Sequence, residues 1–277
     1  MSERWTIGEL SVRYELEPTL KDIFVEGAFD RDILSNCFRS MKDDSRKAYE
    51  IQTVEVPNEL VASHGLSSGN KQRVITLARE LANLPAACSY KCFVDRDLDH
   101  WFGELEDTAR LTWTEFSSIE LHFFSDEVLQ DVILTTAKSK IDNWNQYKDS
   151  LIVVLRNLFA LRLADRELGL NLKWLPFEKY LSKEGSQIAF DLSTYMDRLL
   201  IKNGEMGLKN RYEELLGGWL LKLNGDCRNY IRGHDLVDMI AWTVKEFRGV
   251  KEFSEADVIQ RLFVLLAPRV PNIVGTL

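Results

Sequence analysis

The chain has 277 residues, 45% of them hydrophobic and 28% charged, which is the composition of a globular protein with one or two domains. Collagen-like, coiled-coil and intrinsically disordered classes are therefore excluded. Apolar runs, such as residues 151–155, end at charged residues well before the roughly 18 positions that a membrane span needs. The first residues carry charges of both signs without an apolar signal segment, and four cysteines are too few for a disulfide framework. We expect a soluble cytoplasmic protein with reduced thiols and no membrane association.

Acidic residues outnumber basic ones, and the whole excess lies in the first half of the chain. The formal net charge is −8. Residues 1–125 contain 14 Lys and Arg against 22 Asp and Glu, whereas residues 126–277 contain 21 of each. This excess is either a solvated acidic surface or a set of carboxylates gathered to bind metal. It argues against a self-sufficient, tight nucleic-acid binder.

The first half alternates between strand and helix patterns. A strict alternation of apolar and polar residues predicts a half-buried strand over 11–17, and a short apolar run ending at Gly27 predicts a buried strand over 22–27. Helical periodicity follows over 29–41, alternation over 49–56, a turn-rich loop over 63–70, a helix over 71–83 and a third buried strand over 88–94. Strands that alternate with helices imply βαβ units and a parallel sheet.

Helical periodicity dominates from residue 126 onward. Apolar residues recur at helical spacing over 126–138, 141–169, 186–201, 208–223, 233–247 and 254–266. Strand patterns are scarce there, and residues 112–124 fit either a strand or a helix. The sequence therefore predicts an α/β domain with a parallel sheet over residues 1–125 and an all-helical domain over residues 126–277.

Acidic residues directly follow two of the predicted buried strands. Glu26 ends the first, and Asp95 and Asp97 end the later one. If the two strands are neighbours, these side chains converge on one edge of the sheet, where α/β proteins bind their ligands. Clustered carboxylates repel one another, and a hard divalent cation with oxygen ligands removes that penalty. The alternative is that each acid is only a helix cap or a turn former.

The same residues resemble the toprim pattern, in which Glu-Gly follows one strand and Asp-x-Asp follows a later one. The matching segments are Val25-Glu26-Gly27-Ala28-Phe29-Asp30 and Val94-Asp95-Arg96-Asp97-Leu98-Asp99. Three further segments, Gly69-Asn70-Lys71, residues 114–120 and Gly233-His234-Asp235-Leu236, are similar to the DUF4435 toprim-like family. Together the segments cover most of the chain. The resemblance implies a toprim-like sheet domain followed by a helical domain.

The resemblance also implies metal-dependent nuclease chemistry, with Mg²⁺ or Mn²⁺ as the cofactor. By that resemblance, Glu26 is a general acid/base or a metal-proximal carboxylate, and Asp95 and Asp97 are Mg²⁺ ligands. Possible second-site ligands are Asp30, Asp99 and Glu120. Asp30 lies one helical turn after Glu26 and can face the same edge. The alternative for Asp99 is a residue that only turns the chain, and the alternative for Glu120 is a solvated acid at a helix start.

Basic residues complete the expected site. Lys71 opens a helix beside a glycine-rich loop and could neutralise a transition-state phosphate, or it could be an ordinary exposed lysine. Arg96 lies between two proposed ligands and could pair with them or with a phosphate. Because alternate side chains of a strand point to opposite faces, we expect it to pair elsewhere. The candidates for substrate contact in the helical half are Arg156, Arg162, Arg166, Arg228 and Arg232, with pairing to acids such as Asp165 as the alternative.

Toprim-like relatives of this kind act as toxic effectors in anti-phage defence, together with an ABC-type ATPase. The resemblance therefore leads us to expect a nuclease that cleaves cellular RNA, tRNA in particular, has an ATPase partner subunit and is a homodimer when active. Cleavage of DNA is one alternative. A non-catalytic subunit that binds the ATPase is another, although it leaves three converging acids without a use.

Overall fold

The structure, a computed structural model, describes residues 4–275 and 277, and the chain folds into two compact units. The first unit is formed by the chain up to His122 together with the residues from Arg261 onward. The second unit is Phe123–Gln260. These limits differ from the predicted domains, because the end of the expected helical domain belongs to the first unit. Within the described residues, no helix has the length and apolar character needed to cross a membrane.

A parallel sheet with helices packed against it forms the first unit. Its elements in chain order are β1 (Trp5–Thr6), α1 (Ile7–Leu16), β2 (Lys21–Val25), α2 (Ala28–Ser40), β3 (Arg46–Glu50), β4 (Val54–Glu55), α3 (Asn58–Ser63), α4 (Asn70–Glu80), β5 (Lys91–Val94), α5 (Asp99–Phe102) and β6 (Leu111–Trp113). The main sheet has the order β3-β2-β5-β6, and every neighbouring pair is parallel. The predicted parallel α/β sheet is confirmed, and its buried strands over 22–27 and 88–94 correspond to β2 and β5.

The core of this unit lies between the sheet and α4. Phe24 of β2 and Cys92 of β5 are completely buried there, together with Val74 and Leu77 of α4. Strands covered by helices need apolar side chains on both faces, which is why β2 and β5 read as continuous apolar runs. The buried run of each strand ends at Val25 in β2 and at Val94 in β5.

The segment predicted as a strand over 11–17 is instead part of helix α1. Thr6 caps this helix by accepting a hydrogen bond from the Glu9 N–H (3.2 Å), and the Glu9 carboxylate accepts the Thr6 N–H (2.7 Å). This reciprocal capping box stabilises the first turn. Leu10 and Tyr14, four residues apart, bury one face of the helix. The strand prediction was wrong because a short alternating stretch also satisfies part of a helical repeat.

The strand predicted over 49–56 is divided in the structure. Residues Ile51–Thr53 form a 3₁₀ turn between β3, which lies in the main sheet, and β4, which pairs with β1. The 3₁₀ turn places Ile51 in the core, where it is completely buried. The alternating pattern was therefore correct about extended structure but missed the turn that separates the two strands.

The second unit is mainly helical, as predicted. Its helices are α6 (Asp126–Gln130), which continues as a π-helical segment (Asp131–Thr136), α7 (Trp144–Leu168), α8 (Leu192–Asn203), α9 (Lys209–Lys222), α10 (Gly233–Glu246) and α11 (Ala256–Leu266), the last of which continues into the first unit. A hairpin of antiparallel strands, β7 (Leu181–Glu184) and β8 (Gln187–Phe190), lies before α8. The helix predicted over 186–201 therefore begins later than expected, and β8 takes its first residues.

Chain segments from both ends of the first unit meet at α2. The Asn36 side-chain amide donates a hydrogen bond to the Val264 carbonyl oxygen (2.7 Å). A 3₁₀ turn at Ala267–Arg269 also packs against α2. The residues after the second unit thus complete the packing of the first.

Candidate active site

Parallel pairing brings the acidic ends of two strands to the same edge of the sheet. Strands β2 and β5 are neighbours, with Ile23 opposite Lys91 and Phe24 opposite Cys92. Glu26 follows β2 immediately beyond Val25, and Asp95 follows β5. The expectation that these two strands lie side by side is confirmed.

Glu26 is held between backbone and side-chain groups of the neighbouring segments. Its Oε1 atom accepts the Asp95 N–H (3.0 Å), and its carbonyl oxygen accepts a hydrogen bond from the Asn70 side-chain amide (2.9 Å). Burial, followed by the negative charge of Asp97, raises the pKa of Glu26 to about 7. The Asp95 N–H and the Lys71 ammonium act in the opposite direction. A carboxyl group with this pKa exchanges a proton near neutral pH.

Three other acids lie close enough to Glu26 for their charges to act on one another. Asp30 accepts the Gly27 N–H (3.2 Å) and Asp95 accepts the Ile119 N–H (3.1 Å). Burial is the main cause that raises the pKa of Asp30 and of Asp95 well above the usual range, and the charges of Glu26 and Glu120 add to it. Glu120 lies in the 3₁₀ turn Ile119–Phe123 and is only 2% exposed. The reading of Glu120 as a solvated acid is therefore wrong.

Lys71 is buried rather than exposed, and it pairs with two of the predicted ligands. Its Nζ atom lies 2.9 Å from Asp97 Oδ2 and 2.6 Å from Asp99 Oδ2, and 5.4 Å from the centre of the Trp113 ring. Burial lowers the pKa of Lys71, but the two carboxylates outweigh this and raise it. Gly69, whose φ of +150° suits glycine, leads the chain into α4 so that Lys71 lies in its first turn. The charge of Lys71 is thus paired with Asp97 and Asp99 inside the cluster.

The turn after β5 is fixed to the segment after β6. Asp97 has a left-handed backbone (φ +46°), and its N–H donates to the Ser117 carbonyl oxygen (2.7 Å). The Arg96 N–H donates to Thr114 Oγ1 (3.1 Å). Left-handed conformations of non-glycine residues cost free energy and persist where the surrounding structure imposes them. Sequence reasoning gave Thr114 no role, although this hydroxyl helps to position the Asp-x-Asp turn.

Two nitrogen-bearing side chains follow β5: Arg96, which was considered above from the sequence, and His100, for which the sequence indicated no role. The side chain of Arg96 forms no ion pair with any described carboxylate, contrary to the expectation that it pairs elsewhere. His100 lies in α5 against the Trp101 ring, with ring centres 4.9 Å apart. Burial lowers the pKa of His100, and the nearby Arg96 charge lowers it further, while the Asp97 carbonyl opposes both. Both side chains therefore belong to the short segment that follows β5.

The donor chemistry of the cluster fits a hard divalent cation. Carboxylate oxygens are the ligands that Mg²⁺ and Mn²⁺ take. Burial and the mutual repulsion of the acids raise the pKa values of Glu26, Asp30 and Asp95, and a bound cation would relieve that repulsion. In the arrangement that the structure describes, Glu26, Asp30 and Asp95 each accept a backbone N–H, and Lys71 pairs with two further predicted ligands, Asp97 and Asp99. Across residues 4–275 and 277, no three His, Cys, Asp or Glu side chains are already arranged as a ligand set for a metal ion.

Four of the five basic residues predicted to contact substrate have partners within the second unit, and the fifth, Arg166, lies in the last turn of α7. Arg162 is buried beneath the Trp174 ring and binds both carboxylate oxygens of Asp235, at 2.6 and 3.2 Å. The other contacts pair Arg228 with Asp226 (2.6 Å), Arg232 with Asp235 (3.5 Å) and Arg156 with the Leu220 carbonyl oxygen. The suggested pairing of such arginines with acids of their own helix is wrong for Arg162, because Asp235 comes from α10.

Comparisons with protein-family models and with curated proteins found no relative of this chain. The chain matches no protein-family model, and no curated protein matches it at a significant level. The case for an activity therefore depends on the geometry of the carboxylate cluster and on the resemblance of its motifs.

Proposed function

We propose that this chain is a Mg²⁺-dependent nuclease of the toprim type, with Mn²⁺ as an alternative cofactor. The observation that carries the proposal is the cluster of Glu26, Asp30, Asp95, Asp97 and Glu120. These acids come from the end of β2, the first turn of α2, the turn after β5 and the segment after β6, yet their charges act on one another. Such a concentration of negative charge destabilises a folded protein and is typical of a site that binds a cation.

The described residues divide into proton-handling, ligand and positioning groups. Glu26, with a pKa of about 7, can accept a proton from an attacking water and return it to the leaving oxygen. Asp95 and Asp97 would hold the metal, with Asp30, Asp99 and Glu120 as ligands of a second ion. A bound Mg²⁺ would supply charge stabilisation for a phosphoryl-transfer reaction. Lys71 holds Asp97 and Asp99 in place through its two ion pairs.

For the substrate and the partners, the support is the motif resemblance alone. The motifs resemble those of the toprim effector nuclease of the PARIS anti-phage defence system. We extend the proposal to cleavage of cellular RNA, with tRNA as the leading target, to an ABC-type ATPase as partner subunit and to a homodimer as the active form. DNA cleavage is the second candidate. A purely non-catalytic role gives no reason for the carboxylate cluster.

The test compares cleavage by wild type and by Glu26→Gln. Purified protein is incubated with total RNA or plasmid DNA, with Mg²⁺, with Mn²⁺ and with excess EDTA. We expect cleavage by wild type with either ion, none in EDTA, and a loss on the order of 10²-fold or more in Glu26→Gln. Glu15→Gln, at an exposed position of α1, is the matched control and should cleave like wild type. Cleavage that survives EDTA would exclude the metal-dependent mechanism.

A binding measurement separates the metal from the chemistry. Thermal unfolding of the wild type should shift to higher temperature when Mg²⁺ or Mn²⁺ is added, because a ligand that binds only the folded state stabilises it. Asp95→Asn should reduce that shift while leaving the fold intact. An equal shift in both proteins would mean that the ions do not bind at this cluster.

A further inference from the structure

Two side chains beside the carboxylate cluster bury polar nitrogens that lack a regular hydrogen bond within the described residues. The buried atoms are Nε of Arg96 and the ring nitrogens Nδ1 and Nε2 of His100. The Asp97 carbonyl lies near the imidazole and opposes the lowering of the His100 pKa by burial, but it forms no hydrogen bond of regular geometry with either ring nitrogen. Each buried, unsatisfied polar group costs about 1–3 kcal/mol, so native proteins keep few of them. Three such atoms on two neighbouring side chains therefore indicate that something else completes their hydrogen bonds.

The backbone places these two side chains next to the acids without joining them to any acid. Arg96 lies between Asp95 and Asp97, but its backbone N–H is the group that binds Thr114, and its side chain forms no ion pair with a described carboxylate. His100 follows four residues later, and the Asp99 N–H donates to the Arg96 carbonyl oxygen (2.9 Å), which closes the turn between them. Arg96 is half-buried, and the described residues give it no acid to neutralise, which is the ordinary structural role of such an arginine.

A substrate phosphate would supply the negatively charged hydrogen-bond acceptor that Arg96 and His100 lack among the described residues. A guanidinium binds a phosphate through a planar fork of N–H donors, and an imidazole N–H adds another donor. The neighbouring cluster would repel a polyanion, so a cation beside it is needed to hold the backbone of a nucleic acid. Lys71 is already engaged by Asp97 and Asp99. This leaves Arg96 as the cation of the turn whose side chain has no acidic partner among the described residues.

We propose that Arg96 and His100 bind a phosphodiester of the substrate backbone directly beside the carboxylate cluster. This inference rests on the proposed nuclease function and adds the residues that hold the polynucleotide at the cluster. It also explains how the first unit can bind a polyanion despite its acidic excess, because the positive charge of Arg96 lies at the point of contact.

The test measures binding in the Glu26→Gln background, in which substrate is not consumed. Affinity for a single-stranded RNA is measured by fluorescence anisotropy over a range of salt concentrations. We expect Arg96→Ala to weaken binding roughly 10- to 100-fold, as for loss of a charged hydrogen bond, and to lower the salt slope by about 0.7, the value for one phosphate on a single strand. Arg96→Lys should keep the salt slope but only part of the affinity. Arg39→Ala, which removes an exposed arginine from α2, is the charge-matched control and should change neither quantity as much.

A spectroscopic readout distinguishes contact from a general effect on folding. The ring ¹⁵N signals of His100, assigned with His100→Gln, should shift when the RNA is added, and should not shift in Arg96→Ala at the same RNA concentration. Without RNA, thermal unfolding of Arg96→Ala should show no loss of stability, because the substitution removes an unsatisfied buried group. A salt slope and a His100 spectrum that are the same with and without Arg96 would overturn this inference.

The outcomes separate this inference from the proposed function. If Arg96→Ala, made in the wild-type background, binds and cleaves like wild type, the phosphate site is wrong and the nuclease proposal stands. If wild type binds RNA through Arg96 but cleaves neither RNA nor DNA with either metal ion, the nuclease proposal is wrong and the phosphate site stands. If wild type neither binds nor cleaves a nucleic acid, both are wrong.

Discussion

The Glu26→Gln substitution should stabilise the protein, and the effect should depend on pH. In the folded protein the pKa of Glu26 is about 7, against an ordinary value of 4.5, because burial and the Asp97 charge oppose ionisation. A carboxyl group whose pKa is raised by folding destabilises the folded state once it must ionise. This cost is absent below pH 4.5, grows between pH 4.5 and 7, and is complete above pH 7.

The magnitude follows from the size of the pKa change. Each pKa unit corresponds to about 1.36 kcal/mol, so the rise from 4.5 to about 7 sets an upper limit of about 3–4 kcal/mol. A glutamine side chain has the same shape, and its amide oxygen can still accept the Asp95 N–H. We therefore expect Glu26→Gln to raise the free energy of unfolding by about 2–3 kcal/mol at pH 8, and by close to zero at pH 4.5.

Urea denaturation at several pH values between 4.5 and 8.5, with EDTA present to remove divalent ions, measures this difference. Glu15→Gln removes an exposed carboxylate and serves as the control, for which we expect a small and nearly constant effect. The reasoning is refuted if Glu26→Gln is no more stable than wild type at pH 8, or if its gain is the same at pH 4.5.

Three further experiments, two of them with a matched control, test the fold and the site. Asp235→Ala should lower the free energy of unfolding by about 3–5 kcal/mol, because it leaves the mostly buried Arg162 guanidinium without its acid. Asp226→Ala breaks an exposed pair and should lower it by about 1 kcal/mol or less. Urea denaturation of the two proteins measures the difference. Gly249→Ala should lower the melting temperature, because its Cβ would lie 2.8 Å from a carbonyl oxygen, a hydroxyl and a methyl group. In Gly218→Ala, inside a helix, the new Cβ meets nothing within 4 Å, and the free energy of unfolding should rise by about 0.5–1 kcal/mol. Lys71→Met should shift the pH dependence described above to higher pH, because the ammonium lowers the pKa of the titrating carboxyl group; an unshifted profile would contradict that role.

The sequence predicted the strands that carry the site better than it predicted the surrounding elements. The apolar runs before Glu26 and Asp95 are long enough, and buried enough, to be recognised as central strands, so the meeting of the two acids followed from parallel pairing alone. Helix α1 was missed because its residues 11–17 alternate, although Thr6 and Glu9 already carried the capping-box spacing. The β7–β8 hairpin was missed because its turn, at Gly185 with φ +61°, falls beside a strong helical pattern.

The electrostatic details of the site depend on distances that a sequence does not contain. Nothing in the spacing of Lys71 and Asp97 indicates that their side chains lie 2.9 Å apart, because the contact joins the first turn of α4 to the turn after β5. The same holds for Arg162, whose partner Asp235 lies on another helix. Local patterns predict which residue types are available, and tertiary packing decides which of them are neutralised.

The return of the chain to α2 sets an order of events during synthesis. The first unit needs the residues from Arg261 onward, including the Val264 carbonyl oxygen that Asn36 binds, and these leave the ribosome after the whole of Phe123–Gln260. At ordinary translation rates that interval lasts on the order of ten seconds. During this time the unit that carries the carboxylate cluster is without its last packing segment. The first unit can therefore complete the packing around α2 only after the whole of the helical unit has been synthesised.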